Sequence, residues 1–250
     1  MIPSCPYPSW QPPIRVRLTV LPEHPCSYLP GRVAQSRAFW AERMDPRIYH
    51  ELMNAGFRRS GKLVYQPICR GCRACLPIRV PLATFEPSKS QRRVARRNAD
   101  LSVAVGPLEV SHEKWELYQR YMTTWHGREA DDRSEFESFL YDSPVDTIEF
   151  SHRDSTGRLL AVGICDICSE SLSSVYFYFD PADSDRSLGT FGALCELDFA
   201  RNQKIRNYYL GYWIDQCPSM RYKAMYRLHE ILHPDNVWRP GAETYIEMEP

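Results

Sequence analysis

The chain has 250 residues, 43% hydrophobic, 25% charged and 12% aromatic, enough to bury one large core or two modest ones at roughly 100 to 200 residues per domain. That composition excludes a disordered chain and a small disulfide-stapled scaffold. Basic and acidic residues balance at 31 each, yet Arg58 to Arg97 carries eleven basic residues against one acidic, and Leu101 to Glu170 carries six against fourteen, so the basic block is a candidate phosphate-binding surface.

Residues 1 to about 24 are proline-rich. The opening, MIPSCPYPSWQPP, has no basic n-region and fails the pattern of a secretory signal. The longest apolar run, Leu159 to Cys165, is seven residues, far short of the ~18 that a membrane span requires. A cytoplasmic address and no membrane partner are expected, with the nine cysteines reduced and available for metal or catalytic chemistry.

A short strand is expected over Ile14 to Val20, where Ile14, Val16, Leu18 and Val20 alternate with polar residues. Cys26 to Arg32 reads as a turn around Pro30-Gly31. Arg47 to Gly56 has helical spacing, with Asp45-Pro46 as cap and first turn and Gly56 as stop. Cys69 to Cys75 is a loop entering a strand over Leu76 to Leu82. Lys89 to Asn98 has helix-forming composition and sets Arg92, Arg93, Arg96 and Arg97 on one face. A strand over Leu101 to Val105 and helices over Lys114 to Trp125 and Ser134 to Tyr141 follow. Then come strands over Asp146 to His152, Leu159 to Ile167 and Leu172 to Phe179, a helix over Leu188 to Gln203, and a strand over Asn207 to Tyr212. Where the charge changes sign a domain boundary is expected, giving an α+β chain with a Cys-rich, metal-binding basic domain (1–105) and a mixed-sheet domain (106–250).

Cys69, Cys72 and Cys75 spell C-x-x-C-x-x-C, three thiols on one tight loop that can converge on a metal ion or cluster. Cys26, beside its own turn, is the best fourth ligand. Zinc and an iron–sulfur cluster both stay open, since each uses C-x-x-C spacings. Cys165 and Cys168 lie three apart on a strand, face opposite sides and read as core thiols, as does Cys195 on a helix stripe. Cys5 and Cys217 have no partner in the sequence. Lys89 and the four arginines after it, backed by Arg58, Arg59 and Lys62, form the kind of surface that neutralises phosphates, for which guanidinium supplies planar bidentate donors.

Ser173 to Pro181, then Arg186-x-x-Gly189-x-x-Gly192 opening a helix, resembles the strand, glycine turn and helix start of the N-acetyltransferase (GNAT) fold, in which such a turn aims N–H groups at a pyrophosphate. The spacing is one residue longer than that fold's own, which argues for the same fold with a different acyl donor and no acetyl-coenzyme A. Taken with CSYLPGR (26–32), GFRRSG (56–61), YQPICRGCRACLPIRVP (65–81), KSQRRVARRNADL (89–101), SLGTFGALCELDFAR (187–201), YYLGYWI (208–214) and MRYKAMYR (220–227), the chain resembles the arginyl-tRNA-protein transferase family from about residue 14 to 240, most closely its bacterial aspartate/glutamate leucyltransferase branch.

That resemblance implies an aminoacyltransferase moving leucine, or alternatively arginine, from charged tRNA to the α-amine of a protein beginning with Asp or Glu, which marks the protein for N-end-rule degradation. Its partners would be aminoacyl-tRNA, Leu-tRNA first, and such proteins. Because the donor ester is already activated, the enzyme has to align the amine, accept a proton and stabilise an oxyanion. Asp180, with Asp215 second, is the candidate to hold or deprotonate the amine. Tyr178 and the backbone N–H groups of Leu188 and Gly189 are candidate oxyanion donors. Lys223 with Tyr222, and Arg58 or Arg59, are candidates for the acidic side chain, and Lys89, Arg92, Arg93, Arg96 and Arg97 for the tRNA. Two other readings compete: an acetyl-coenzyme A-dependent N-acetyltransferase, and a non-catalytic metal-stabilised RNA-binding module for which Cys26 to Arg97 would suffice.

Overall fold

The computed structural model describes residues 15–130 and 132–241. Four short strands come first, β1 (Thr19–Val20), β2 (His24–Pro25), β3 (Val33–Ala34) and β4 (Ser36–Trp40). Of the strand expected over 14–20 only Thr19 and Val20 pair, against Ala38 and Arg37; Ile14 and Cys5 lie outside the described residues. Helix α1 (Pro46–Asn54) starts as the sequence predicts. The Asp45 carboxylate accepts the Arg47 N–H at 2.8 Å, and Pro46 occupies the first helical position, where its missing N–H costs nothing. Gly56 ends the helix at φ +84°. A hairpin the sequence does not announce follows, β5 (Arg58–Ser60) and β6 (Leu63–Pro67). With β1 and β4 it completes a four-stranded sheet ordered β1-β4-β6-β5.

The Cys-rich loop then runs into β7 (Leu76–Pro81). After it come α2 (Lys89–Arg97), β8 (Ser102–Pro107), α3 (His112–His126), α4 (Arg133–Leu140), β9 (Thr147–Arg153), β10 (Leu159–Ile167), β11 (Ser171–Phe179), α5 (Leu188–Asn202), β12 (Asn207–Trp213), the short α6 (Pro218–Arg221), β13 (Glu230–Leu232) and β14 (Trp238–Pro240). These strands build one eight-stranded mixed sheet ordered β14-β13-β7-β12-β11-β10-β9-β8. The sheet draws β7 from well before residue 105 into its interior, between β13 and β12, and residue 105 itself falls within edge strand β8.

Helices cover both faces of the sheet's middle. On one, Ala193, Leu197 and Ala200 of α5 pack on Phe150, Cys165, Leu172 and Tyr208. On the other, Leu117, Tyr118 and Met122 of α3 and Phe136 and Leu140 of α4 pack on Leu160, Val162 and Tyr178. Strand β10 is therefore buried at every position but its last, as a strand covered on both sides must be, and its sequence is an apolar run for that reason. Cys165 and Cys168 fall in different core clusters, as their spacing predicts.

Candidate active site at the opening of the large sheet

Strands β11 and β12 are parallel and pair only from Ser171 to Ser173 against Asn207 to Tyr209. Beyond that point β11 stays paired with β10 as far as Phe179, and β12 stays paired with β7 as far as Trp213. The sheet thus divides into two halves with an opening between facing strands. The β12–β7 register shifts between Tyr209 and Gly211, and Gly211 sits at φ +83°, a conformation that favours glycine.

Two cations converge on this irregularity. Arg58, 5% exposed, donates to the carbonyls of Phe57 (2.6 Å) and Gly211 (3.2 Å) and lies over the rings of Tyr209 and Tyr212. Lys223, 8% exposed, donates through Nζ to the Tyr212 carbonyl at 2.9 Å. Burial, and after it the positive charge of Arg58, pull Lys223 down to about 7. Among the described residues neither cation has a carboxylate partner, and Arg58 Nε is buried without any partner. Two adjacent buried basic groups with carbonyls and aromatic faces but, among the described residues, no carboxylate around them are an incomplete electrostatic arrangement, because a buried charge is ordinarily paired.

Arg59 is the contrasting case. Strand alternation turns it to the other face of β5, where its Nε and Nη2 donate to both Asp166 oxygens at 2.8 and 2.6 Å. Both side chains are 0% exposed. Of the two arginines expected as candidates for a substrate carboxylate, Arg59 already holds a carboxylate from β10; Arg58 holds none among the described residues.

The acid candidates have internal contacts too. The Asp180 carboxylate accepts the Ala182 N–H at 3.1 Å and pairs with Arg120 at 3.3 Å and Arg158 at 3.5 Å, the cap of a 3-10 turn at the end of β11. Tyr178 is fully buried in the core under α3 and α4, its hydroxyl 3.0 Å from that of Tyr141. Asp215 is exposed, 3.9 Å from Arg221, and Tyr222 keeps 43% of its surface in solvent. Leu188 and Gly189 are the first two residues of α5, so their N–H groups have no acceptor within the helix, and a Cβ added at Gly189 would meet open space.

Helix α2 lies beside this opening. Ser88 and Gln91 form a capping box at its start, which fixes its first turn. Its far end is tied to the chain just before α5: Arg97 donates to the Asp185 carbonyl, and Asn98 to the Arg186 carbonyl at 2.9 Å. Lys89, Arg92, Arg93, Arg96 and Arg97 are all exposed. The basic face and the sheet opening are therefore held together by the loop between β11 and α5.

The four expected metal ligands are neighbours. Burial first, then the charges of Cys69, Cys26, Cys72 and Cys217, push the Cys75 thiol up to about 12. Leu29 N–H donates to Cys26 Sγ, and Gln35 N–H to Cys69 Sγ, each at 3.4 Å. Yet among the described residues no three His, Cys, Asp or Glu side chains are arranged to hold a metal ion. Cys26, Cys72 and Cys75 pack among Leu29, Ile214 and Met220, as cysteine does when it serves as a small apolar group. Cys69, Cys72 and Cys75 also line a pocket of about 230 Å³ with Gly56, Tyr212 and His233, and the Tyr212 hydroxyl donates to Gly56 O at 2.8 Å. Cys217, without a partner in the sequence, joins this group because the turn after β12 folds back onto the loop before β7.

Sequence reasoning also missed Glu196 and Tyr208, both fully buried, with the tyrosine hydroxyl donating to Glu196 Oε2 at 2.5 Å. The signal was available: Glu196 is a charged residue on the α5 stripe formed by Gly192, Ala193, Leu197 and Ala200, all buried.

The chain is a member of the arginine-tRNA-protein transferase family: the model of that family's N terminus matches residues 24–93 and that of its C terminus residues 113–233. It is 39% identical over 228 residues to an aspartate/glutamate leucyltransferase of Saccharophagus degradans, covering 89% of this chain and 96% of that one. It is 41% identical over 214 residues to the protein of the same name from Chromobacterium violaceum, covering 84% and 88%. Among solved structures, L-PGS from Bacillus licheniformis aligns with 13% identity and a TM-score of 0.46, covering 71% of this chain and 52% of that one.

Proposed function

We propose that the chain transfers leucine from Leu-tRNA to the α-amine of proteins beginning with Asp or Glu, marking them for N-end-rule degradation in the cytoplasm, and that its large sheet is a variant of the N-acetyltransferase fold. The observation that carries the acceptor side of this reading is the Arg58–Lys223 pair, two buried basic groups at the sheet opening that lack a carboxylate among the described residues. A side-chain carboxylate entering there completes the pair and gains charge-assisted hydrogen bonds that a neutral side chain cannot make. With the side chain held, the α-amine is fixed relative to the ester, and alignment supplies most of the acceleration for an already activated donor. The N–H groups of Leu188 and Gly189 are the donors for the tetrahedral oxyanion.

On the donor side, α2 takes the tRNA backbone. Charge reversal at Arg93 and Arg96 is expected to weaken Leu-tRNA binding at least 10-fold and to flatten its dependence on salt by about one unit of slope per lost phosphate contact, with the melting temperature unchanged. Filter binding across a salt series checks this.

A zinc ion or an iron–sulfur cluster on Cys26, Cys69, Cys72 and Cys75 remains part of the proposal, supported by the gathering of four thiols around one loop; its role would be to fix that loop against the turn carrying Cys217. Cys72→Ala is expected to lower metal content and transfer together, measured by elemental analysis of the purified protein. A variant as metal-rich and as active as the parent would count against that ligand.

The decisive experiment incubates the protein with radiolabelled Leu-tRNA or Arg-tRNA and peptides beginning with Asp, Glu, Lys or Ala. Label should pass from Leu-tRNA to the Asp and Glu peptides alone. Label from Arg-tRNA instead would change the donor, and acetyl transfer from acetyl-coenzyme A or tRNA binding without transfer would establish one of the competing readings. No helix among the described residues is long and apolar enough to cross a membrane.

A further inference from the structure

Glu196 lies where the sheet begins to part. Its Oε2 takes the hydroxyl of Tyr208, and Tyr208 pairs with Leu172, one position before the last shared pair of β11 and β12. Its other neighbours are the Ser174 hydroxyl, on the first β11 residue past that pair, and the Cys165 thiol on β10. Tyr222 and Tyr226 face it from the chain after β12, and Cys195 from its own helix. Among the described residues no cation is one of the groups that act on it. Oε1 is buried and, among the described residues, has no hydrogen-bond partner of acceptable geometry.

The fold makes specific room for this carboxyl. A Cβ added at Gly163 would come within 2.6 Å of Glu196 Oε1, so the glycine on β10 is what lets the acid lie flat against the sheet. A buried carboxyl with an idle oxygen and no counter-charge is costly as packing alone, and a leucine would serve the helix stripe better.

We propose that Glu196 is the group that accepts the proton of the incoming α-ammonium at the closed end of the sheet opening; this rests on the transfer reaction proposed above. The ammonium gives one proton to Oε1, and the nitrogen lone pair forms the N–C bond to the aminoacyl carbonyl. The C–O bond to the ribose breaks, and the proton held on Glu196 is returned, directly or through solvent, to the departing ribose oxygen, which restores the carboxylate. The nitrogen, which still carries two hydrogens, releases the second proton to solvent to leave the neutral amide. Burial raises the Glu196 carboxyl to about 7, close to neutrality, where an acceptor that must also give the proton back works best.

The test is the pH dependence of kcat/KM for transfer from Leu-tRNA to an Asp-initiated peptide. The parent should lose activity on the acid side through an ionisation near 7. Glu196→Gln should lower kcat by a factor of about 100 or more and lose that ionisation, following only the peptide amine at about 7.7 to 8. Its melting temperature should be no lower than the parent's. Tyr208→Phe, which removes the strongest of the hydrogen bonds favouring the carboxylate, should move the acid limb upward. A folded Glu196→Gln protein with the parent's pH profile overturns the assignment, and so does an unmoved limb in Tyr208→Phe, which decides the matter should the first variant fail to fold. Absence of any transfer by the parent would instead sink the reaction itself.

Discussion

Lys223→Met should lower kcat/KM for peptides beginning with Asp or Glu by roughly 10- to 100-fold, the equivalent of about 1.5 to 3 kcal/mol for a hydrogen bond to a charged group, while leaving peptides beginning with Ala at their background rate. Stability should not fall, because the substitution removes a buried basic group that has no carboxylate partner among the described residues and replaces it with an apolar side chain of similar length. The same argument is weaker for Arg58. Its guanidinium holds two carbonyls, those of Phe57 and Gly211, against the single Tyr212 carbonyl held by Lys223, so truncating it would strand more acceptors and confound selectivity with folding. Binding of Leu-tRNA to the Lys223→Met protein should match the parent. Retained preference for acidic peptides in that variant would show that the discriminating charge lies elsewhere.

The second half of the chain was legible because its periodicities are strong. Strands β9 to β12 and helices α3 to α5 stand within a few residues of the segments that alternation and helical spacing mark out, since each buries a broad apolar face. Short strands in the first half carried no such signal. Strand β5 is Arg-Arg-Ser, which no hydrophobic pattern would nominate; two of its residues are buried only because the arginines find carbonyls, aromatic faces and a carboxylate contributed from elsewhere. The placement of β7 depends on partners such as Asn207, opposite Pro81, a pairing across more than a hundred residues to which local pattern is blind.

The site was legible to the same degree. GFRRSG pointed to cations, and adjacent positions on a strand must face opposite ways, but which arginine would be neutralised depended on Asp166, 107 residues away. Asp180, at the end of an aromatic strand, looked available; the sequence did not reveal that Arg120 and Arg158 converge on it. Glu196 was visible as a misfit on an apolar stripe, and misfits of that kind are where local rules yield to function.

Arg59→Met should be the most damaging of these substitutions to the fold and the least informative about specificity. The Asp166 carboxylate, 0% exposed, would keep only the Thr147 hydroxyl at 2.8 Å and lose both guanidinium bonds. Removing one partner of a buried pair typically costs about 3 to 5 kcal/mol, against a total stability of roughly 5 to 15 kcal/mol for a domain, so urea unfolding should show a midpoint displaced by a large fraction of its parent value. The double replacement Arg59→Met with Asp166→Leu should recover most of that loss, since desolvating two charges offsets much of what their attraction contributes. Whatever Arg59→Met protein remains folded should still prefer Asp and Glu peptides. A loss of that preference at unchanged stability would mean that Arg59 releases Asp166 to hold the substrate, and would move the acidic-residue site from the Gly211 side of β5 to its opposite face.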